Sequence, residues 1–385
     1  MNLDLSPAEI EFRDEVRTWI EANKPREGQP EEGQAMREYD LAWQRKQYED
    51  GWAGISWPKE YGGRGLSTVE QLIWFEESAK AGAPQAGSCF VGLNHGGPTL
   101  IANATDAQKS FHLPKILKGE VIWCQGFSEP GAGSDLAGLS TRAEIDGEDL
   151  VVTGSKIWTS YAHIADYQEL LVRTDPTSKK HAGITWVICD MRLPGITIRP
   201  VPFVTRAHHF NQVFYDEVRI PIANVVGEIN GGWKTAMSTL SFERGTAFTE
   251  RQVILARAVD DLIDRAKTRT GPDGKRAFGD SEIGRRLTRL RAETAALRAM
   301  TYVGVARNVR RNAPGPDGSM LKILVSRLTQ QMHQIAVELT GSDMVLMNHT
   351  SHDYLQSYAR TVAGGASEIQ SNIVAERVLG LPRQR

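Results

Sequence analysis

The chain opens with a helical period. Phe12, Val16, Trp19 and Ile20 recur at spacings that put them on one helix face. Ser6-Pro7-Ala8-Glu9 just before them reads as a capping box, with proline at the first helical position. Gly51 to Gly65, GWAGISWPKEYGGRG, is punctuated by Gly and Pro and predicts a turn-rich connection, with a further apolar helix around Leu72 to Ala79. From about Trp123 the period shortens. Leu150–Thr153, Lys156–Trp158, Leu170–Arg173, Ile184–Cys189, Ile196–Arg199 and Val213–Ile220 read as short strands bounded by Gly, Pro and Asp. Without strand–helix alternation, they predict a compact antiparallel sheet or barrel rather than a doubly wound dinucleotide fold. After Gly231-Gly232 the helical period returns in three stripes. They are Leu255, Val259, Leu262, Ile263 and Ala266; then Ile283, Leu287, Leu290, Leu297 and Met300; then Leu321, Leu324, Val325, Leu328, Met332, Ile335 and Leu339. Joined by RTGPDGKRAFG and RNAPGPDGS, they predict an antiparallel helix bundle. The order is helices, β-domain, bundle.

A length of 385 residues allows two or three domains. With 47 acidic and 45 basic side chains, the formal charge of −2 argues against nucleic acid as a partner, because phosphate-tracking surfaces need a basic excess. Cys89, Cys124 and Cys189 lie far apart with no CxxC, which fits reduced thiols in a cytoplasmic protein. The start, MNLDLSPAEIEF, has neither the basic nor the apolar region of a secretion signal. Ala81 to Thr105 carries no Asp, Glu, Lys or Arg, yet Gln85, Asn94, His95, Asn103 and several Gly and Pro interrupt it. It reads as a buried segment, not a membrane span. No HExxH and no Cys/His cluster with ligand spacing occurs, so no metal is expected. His95, Cys124 and the pair His208-His209 read as structural residues.

The most informative stretch is Gln125-Gly126-Phe127-Ser128-Glu129-Pro130-Gly131-Ala132-Gly133-Ser134-Asp135. Its glycines let backbone approach a ligand closely, exposed N–H groups there can cradle an anion, and Ser128 and Ser134 add hydroxyl donors. Alone it reads better as a glycine-rich loop after a strand, and it has neither the Lys of a P-loop nor the GxGxxG spacing. Further on, Gly154-Ser155-Lys156-Ile157-Trp158-Thr159-Ser160 ends a strand on a Trp followed by two hydroxyl residues. That arrangement suits stacking on a flat cofactor with hydrogen bonds to its edge, or a core Trp with its turn.

Taken together, GWAGISWPKEYGGRG, QKSFHLPKILKG, FSEPGAGSDLAG, GSKIWTS, FNQVFYDEVRIP, SFERG and ASEIQSNIVAERVLGLPR occur in the order of the acyl-CoA dehydrogenase family, which the chain resembles over nearly its whole length. The resemblance implies an α+β, mainly helical fold: an N-terminal helical domain (1–121), a central antiparallel β-domain (122–234) and a C-terminal four-helix bundle (235–385). It implies FAD as cofactor and α,β-dehydrogenation of an acyl-CoA thioester, with electrons passed to an electron-transfer flavoprotein. Gln125, Phe127, Ser128, Gly133, Ser134, Trp158, Thr159, Ser160, Arg276, Phe278, Ser367 and Glu368 would contact FAD. Ser134, Arg244, Gly364 and Gly365 would contact substrate.

Departures from the family pattern shape the rest. Many members carry the catalytic Glu before a Gly-Thr-Ser near the C-terminus, where this chain has Gly364 in Val362-Ala363-Gly364-Gly365-Ala366-Ser367. Other members supply the base from a Glu-Arg pair on the first bundle helix. Glu243-Arg244 matches that pair, so Glu243 is the expected base, with the Gly364 N–H left to donate to the thioester oxygen. The RxxFG loop, whose Arg reaches a neighbouring subunit's FAD, reads Lys275-Arg276-Ala277-Phe278-Gly279, and a usual Gln is replaced by Glu338. An acidic side chain near a pyrophosphate repels it unless redirected or protonated. These changes resemble subunits of the heterotetrameric branch that handles bulky acyl-CoAs such as steroid side chains. A homo-oligomer, dimer or tetramer, stands beside that heterotetramer as the expected assembly. Two other functions remain open: an oxygen-using flavin oxidase or monooxygenase on the same fold, and a cofactor-poor partner subunit. Glu243 favours the dehydrogenase over a monooxygenase, and the intact EPGAGSD and KIWTS segments count against the cofactor-poor subunit.

Overall fold

In the computed structural model, Ser6 and Glu9 form the expected capping box. Ser6 N–H donates to Glu9 Oε2 (2.6 Å) and Glu9 N–H to Ser6 Oγ (3.3 Å), starting helix α1 at Pro7–Asn23. The structure describes residues 5–243, 249–270, 276–279, 281–311 and 316–382. Helices α2 (Gly33–Glu49), α3 (Thr68–Ala81), α4 (Gly97–Asn103) and α5 (Asp106–Leu117) follow. Strands are β1 (Trp123–Gly126), β2 (Arg142–Asp146), β3 (Asp149–Ser160), β4 (Tyr167–Arg173), β5 (Ile184–Asp190), β6 (Ile196–Pro200) and β7 (Phe210–Pro221). The chain returns to helix in α6 (Gly232–Glu243), α7 (Thr249–Thr268), α8 (Ser281–Arg311), α9 (Asp317–Thr340), α10 (His349–Ala359) and α11 (Ser367–Arg377).

Two compact units cut across this order: residues 22–67 with 84–243, and residues 1–21, 68–83 and 244–385. The first is built on a sheet of order β1-β4-β2-β3-β7-β6, with β5 paired to β4. Its pairings are antiparallel except β1 on β4 and a single parallel contact of β2 with β4. Strands β4 and β5 are buried along nearly their whole length. Their two-residue alternation sorts them between two cores. Tyr167, Leu171, Ile184, Trp186 and Ile188 join Trp57, Leu113, Leu117 and Ala236, a helical layer on one face. Leu170, Val172, Val187 and Cys189 join Val152, Val213 and Val218 on the other.

Helix α6 is seated firmly in this unit. A Cβ on Gly232 would lie 2.3 Å from the Trp186 backbone N, so only glycine lets α6 start against β5. Ala236 is fully buried, and the hydroxyls of Thr239 and Thr99 meet at 2.8 Å.

In the second unit, Leu255, Val259, Leu262 and Ala266 of α7 pack with Leu287, Leu290 and Leu297 of α8 and with Val325, Leu328, Met332, Ile335 and Leu339 of α9. Ile263, Ile283, Leu321 and Leu324 flank that core. Met300 departs from the expected stripe and is exposed. The buried face of α8 runs through Leu287, Leu290, Thr294, Leu297 and Thr301 instead. Thr294 and Thr301 hide in it because each hydroxyl donates to the carbonyl four residues back, at 2.7 and 2.9 Å. Val16 and Ile20 of α1 are fully buried, as their spacing requires. Glu76 of α3 accepts from Gln252 Nε2 of α7 (3.1 Å) and from the Tyr302 hydroxyl of α8 (2.9 Å).

Candidate functional site

The two motif segments meet in the sheet unit. Ile157 N–H donates to the Ser128 carbonyl (2.9 Å), which lays Trp158-Thr159-Ser160 beside the Gln125–Ser134 segment. Beneath them, Lys156 Nζ reaches Glu129 Oε1 (2.8 Å) and the Phe127 carbonyl (3.2 Å). Glu129 also accepts from Ser140 N–H and Oγ and from Thr141 N–H, at 2.7, 2.8 and 2.9 Å. Burial opposes its charge, but Lys156 and these donors outweigh that and hold the carboxyl at about 2. Burial also pulls the fully enclosed Lys156 down to about 8 against the attraction of Glu129.

Past Lys156 the β3–β7 register shifts, and the bulge carries Trp158 at φ +61°, a conformation that a bulky side chain rarely adopts. Trp158 is 52% exposed and meets Phe210 edge-on at 5.8 Å. Next to it Thr159 is fully buried, and its hydroxyl has no hydrogen-bond partner among the described residues. Ser160 is half-buried and pairs with Phe210 across the strands. The bulge is fixed from behind by fully buried Asn211. Asn211 Nδ2 donates to the Thr159 carbonyl (3.2 Å) and to His163 Nδ1 (3.1 Å), and its Oδ1 accepts from His208 Nε2 (2.9 Å). His163 and His208 stack at 4.1 Å, and burial beside His163 pushes His209 down to about 4.

In the Gly-rich loop, Glu129 and Ala132 exchange backbone bonds at 3.0 Å, closing a tight turn. Gly131, Gly133 and Ser134 are exposed, and a Cβ on either glycine would meet nothing within 4 Å. Protein packing therefore does not require glycine there; a ligand close to the backbone would. Gln125, on β1, donates to Glu169 Oε1 (2.7 Å) and lies 3.2 Å from His95 Nδ1. Phe127 is core, 3% exposed. The exposed loop backbone, stacking-ready Trp158 and unanswered Thr159 hydroxyl form a donor set that fits a flat, anionic dinucleotide such as FAD.

Glu243 is the last residue of α6. Arg244 and Lys275 lie outside the described residues. In the helical unit, Gly364 and Gly365 occupy the turn between α10 and α11, at φ +66° and +94°. Ser367 opens α11, and Glu368 is exposed in its first turn. Arg276 and Phe278 are exposed on a short turn between α7 and α8. Glu338 is redirected: both carboxylate oxygens accept from Arg286 Nη1, at 2.8 and 2.7 Å.

Sequence reasoning missed Lys156, Asn211, Glu169 and Lys322. The first stood inside a motif already singled out. Lys322 had a legible signal, since Lys322, Ser326 and Thr329 form a polar row at helical spacing and all three are buried. Asn211 stood inside FNQVFYDEVRIP, but nothing local marked its role, and Glu169 had no signal, because their partners come from distant strands. Cys89, Cys124 and Cys189 are free and buried, and burial pushes each thiol up. Among the described residues no group of three or more His, Cys, Asp or Glu is placed to hold a metal, and no helix is long and apolar enough to cross a membrane.

Comparison with known proteins gives the same family in all three parts of the chain. Residues 6–120 match "Acyl-CoA dehydrogenase, N-terminal domain", residues 124–218 "Acyl-CoA dehydrogenase, middle domain" and residues 230–379 "Acyl-CoA dehydrogenase, C-terminal domain". The chain is 38% identical to acyl-CoA dehydrogenase IpdE1 of Mycobacterium tuberculosis, over 97% of this chain and 98% of that one. It is 33% identical to acyl-CoA dehydrogenase FadE26 of the same organism, over 100% and 99%. Among solved structures it resembles a "Tcur3481-Tcur3483 steroid ACAD" at 32% identity and TM-score 0.86, covering 100% of both chains. The ChsE4-ChsE5 complex from Mycobacterium tuberculosis matches at 32% identity and TM-score 0.83, again over 100% of both chains. This chain belongs to the acyl-CoA dehydrogenase family of FAD-dependent oxidoreductases.

Proposed function

We propose that this chain binds FAD and dehydrogenates an acyl-CoA thioester between its α- and β-carbons, passing the electrons to an electron-transfer flavoprotein. The observation that carries the reading is the Trp158–Thr159 bulge: an exposed aromatic ring held at φ +61° beside a fully buried hydroxyl with no protein partner. FAD, when bound, supplies the acceptor for the two electrons. Gln125, Phe127, Ser128, Gly133 and Ser134 line its path, Trp158 covers the ring, and Thr159 and Ser160 bond its edge. Arg276, Phe278, Ser367 and Glu368 serve its remaining length. Glu243 takes the α-proton, a role that requires it within hydrogen-bond reach of that carbon. Arg244 complements the charge, Ser134 assists the thioester end, and the backbone N–H groups at Gly364 and Gly365 hold the thioester oxygen as it gains charge.

The acyl group is bulky and steroid-like in this reading, which rests on the words "steroid ACAD" attached to a 32%-identical structure. The protein works as an oligomer, with a second copy or a related subunit. The exposed apolar run Val345-Leu346-Met347, at 88%, 65% and 60% exposure, supports a covered surface there. The domain boundaries at 122 and 234 remain part of the proposal. The test is anaerobic addition of acyl-CoAs, from butyryl-CoA to steroid side-chain thioesters, to the purified yellow protein. Bleaching by a member of the panel, slow reoxidation in air and fast reoxidation by an electron-transfer flavoprotein are expected. A colourless protein that takes up no FAD, or flavin reoxidised rapidly by oxygen, overturns the reading.

A further inference from the structure

The turn that bears Gly364 is held by a buried cation. Lys322 of α9 is 4% exposed, yet its Nζ donates to the Gly365 carbonyl (2.6 Å) and the Thr361 carbonyl (3.3 Å). One ammonium thus spans the turn, fixing it on both sides of Gly364, which is exposed between them. Gln370 of α11, 1% exposed, donates from Nε2 to the Gly364 carbonyl (2.9 Å). Ser367 N–H also donates to the Thr361 carbonyl (2.9 Å), and Ser326 Oγ to the Arg360 carbonyl (3.0 Å). By contrast, the N–H groups of Gly364 and Gly365 have no acceptor among the described residues.

Because a trans peptide is planar with its N–H opposed to its C=O, drawing the Gly364 carbonyl onto Gln370 turns the Gly365 N–H the opposite way. The fit is tight. A Cβ on Gly365 would lie 2.5 Å from Gln370 Nε2, and φ +94° is open to glycine alone. Burying an ammonium is costly, and apolar side chains could fill the same volume at less expense. A buried lysine that satisfies turn carbonyls while leaving the adjacent N–H groups unanswered is organised for what those N–H groups must meet.

We propose that Lys322, seconded by Gln370, is a positioning residue that presets the Gly364–Gly365 turn as the donor pair for the thioester oxygen. This deepens the reading above and rests on it for the identity of the oxygen. The test uses the full-length protein with Lys322→Met, which keeps the length and removes the donors, and with Gln370→Leu as a milder second variant. Three readouts apply: amide hydrogen exchange across 360–367 without ligand, kcat and KM for the best acyl-CoA of the panel, and the infrared carbonyl stretch of the matching ¹³C-labelled enoyl-CoA when bound. Lys322→Met should speed exchange of the turn while α7 and α8 keep their protection. It should lower kcat by about 10²-fold with KM little changed, as loss of an oxyanion donor does, and shrink the red shift of the carbonyl stretch. Gln370→Leu should move all three readouts the same way and by less, and it carries the test if Lys322→Met does not fold. Unchanged exchange in the turn, or an undiminished carbonyl shift, overturns the proposal. A wild type that no acyl-CoA bleaches defeats the functional reading instead, while the exchange arm still decides whether Lys322 sets the turn.

Discussion

Lys156 Nζ lies 2.8 Å from Glu129 Oε1, with side-chain exposures of 0% and 5%, and this pair joins the EPGAGSD loop to the strand that presents Trp158. Breaking a buried ion pair from one side strands the other charge in a medium that solvates it poorly. Lys156→Met and Glu129→Gln should each lower stability by ~3–5 kcal/mol. The double variant should lose less than their sum, because no lone charge remains. Urea denaturation of the four proteins measures this; strict additivity would contradict it.

The same pair gives the protein an acid limb. Glu129 titrates at about 2 when folded, against an unperturbed 4.5. The unfolded chain therefore takes up this proton first. The stabilisation is complete above about 4.5 and disappears as pH falls towards about 2. Denaturation midpoints of the wild type should drop across that window more steeply than those of Glu129→Gln. Equal slopes would remove Glu129 from the acid response.

Thr159 separates cofactor binding from folding. Its buried hydroxyl makes no bond within the described protein, so Thr159→Val should leave the flavin-free protein as stable as before. FAD should then bind about fivefold more weakly, the worth of roughly one hydrogen bond, ~1 kcal/mol. Fluorescence titration of apoprotein with FAD reads the affinity, and thermal unfolding the stability. An unchanged FAD affinity would show that the hydroxyl does not meet the cofactor.

Gly232 matters through the backbone it touches. A Cβ there would sit 2.3 Å from the Trp186 N, so Gly232→Ala must push α6 off β5, at a cost of ~1–3 kcal/mol. Since α6 ends at Glu243, flavin reduction should slow as well, although no reacting group has changed. A variant with wild-type stability and reduction rate would show that the seat of α6 is unimportant.

The sequence was most legible where one element carries its own signal. The capping box at Ser6, the α7 and α9 stripes and the long runs of β4 and β5 all follow from local periodicity. Strand β1, four residues long, and β2, mostly exposed and charged, carry little apolar pattern and went unread. A register shift between Val152 and Gly154 lies inside β3, so its halves read as two strands, Leu150–Thr153 and Lys156–Trp158. The α8 stripe was misplaced at Met300 because Thr294 and Thr301 satisfy their hydroxyls along their own helix and pass for surface residues. At the site, segments 125–134 and 158–160 were visible as motifs. What fixes them was not, since Asn211 and Glu169 act on partners far away in sequence.

In the proposed reaction Glu243 removes the α-proton. The most direct measurement is anaerobic stopped-flow reduction of flavin-loaded Glu243→Gln by the acyl-CoA that best bleaches the wild type. Unaltered FAD content is expected, with a reduction rate lower by about 10²–10⁴-fold, the usual worth of a general base. Reduction at the wild-type rate would contradict it and move the base elsewhere in the chain.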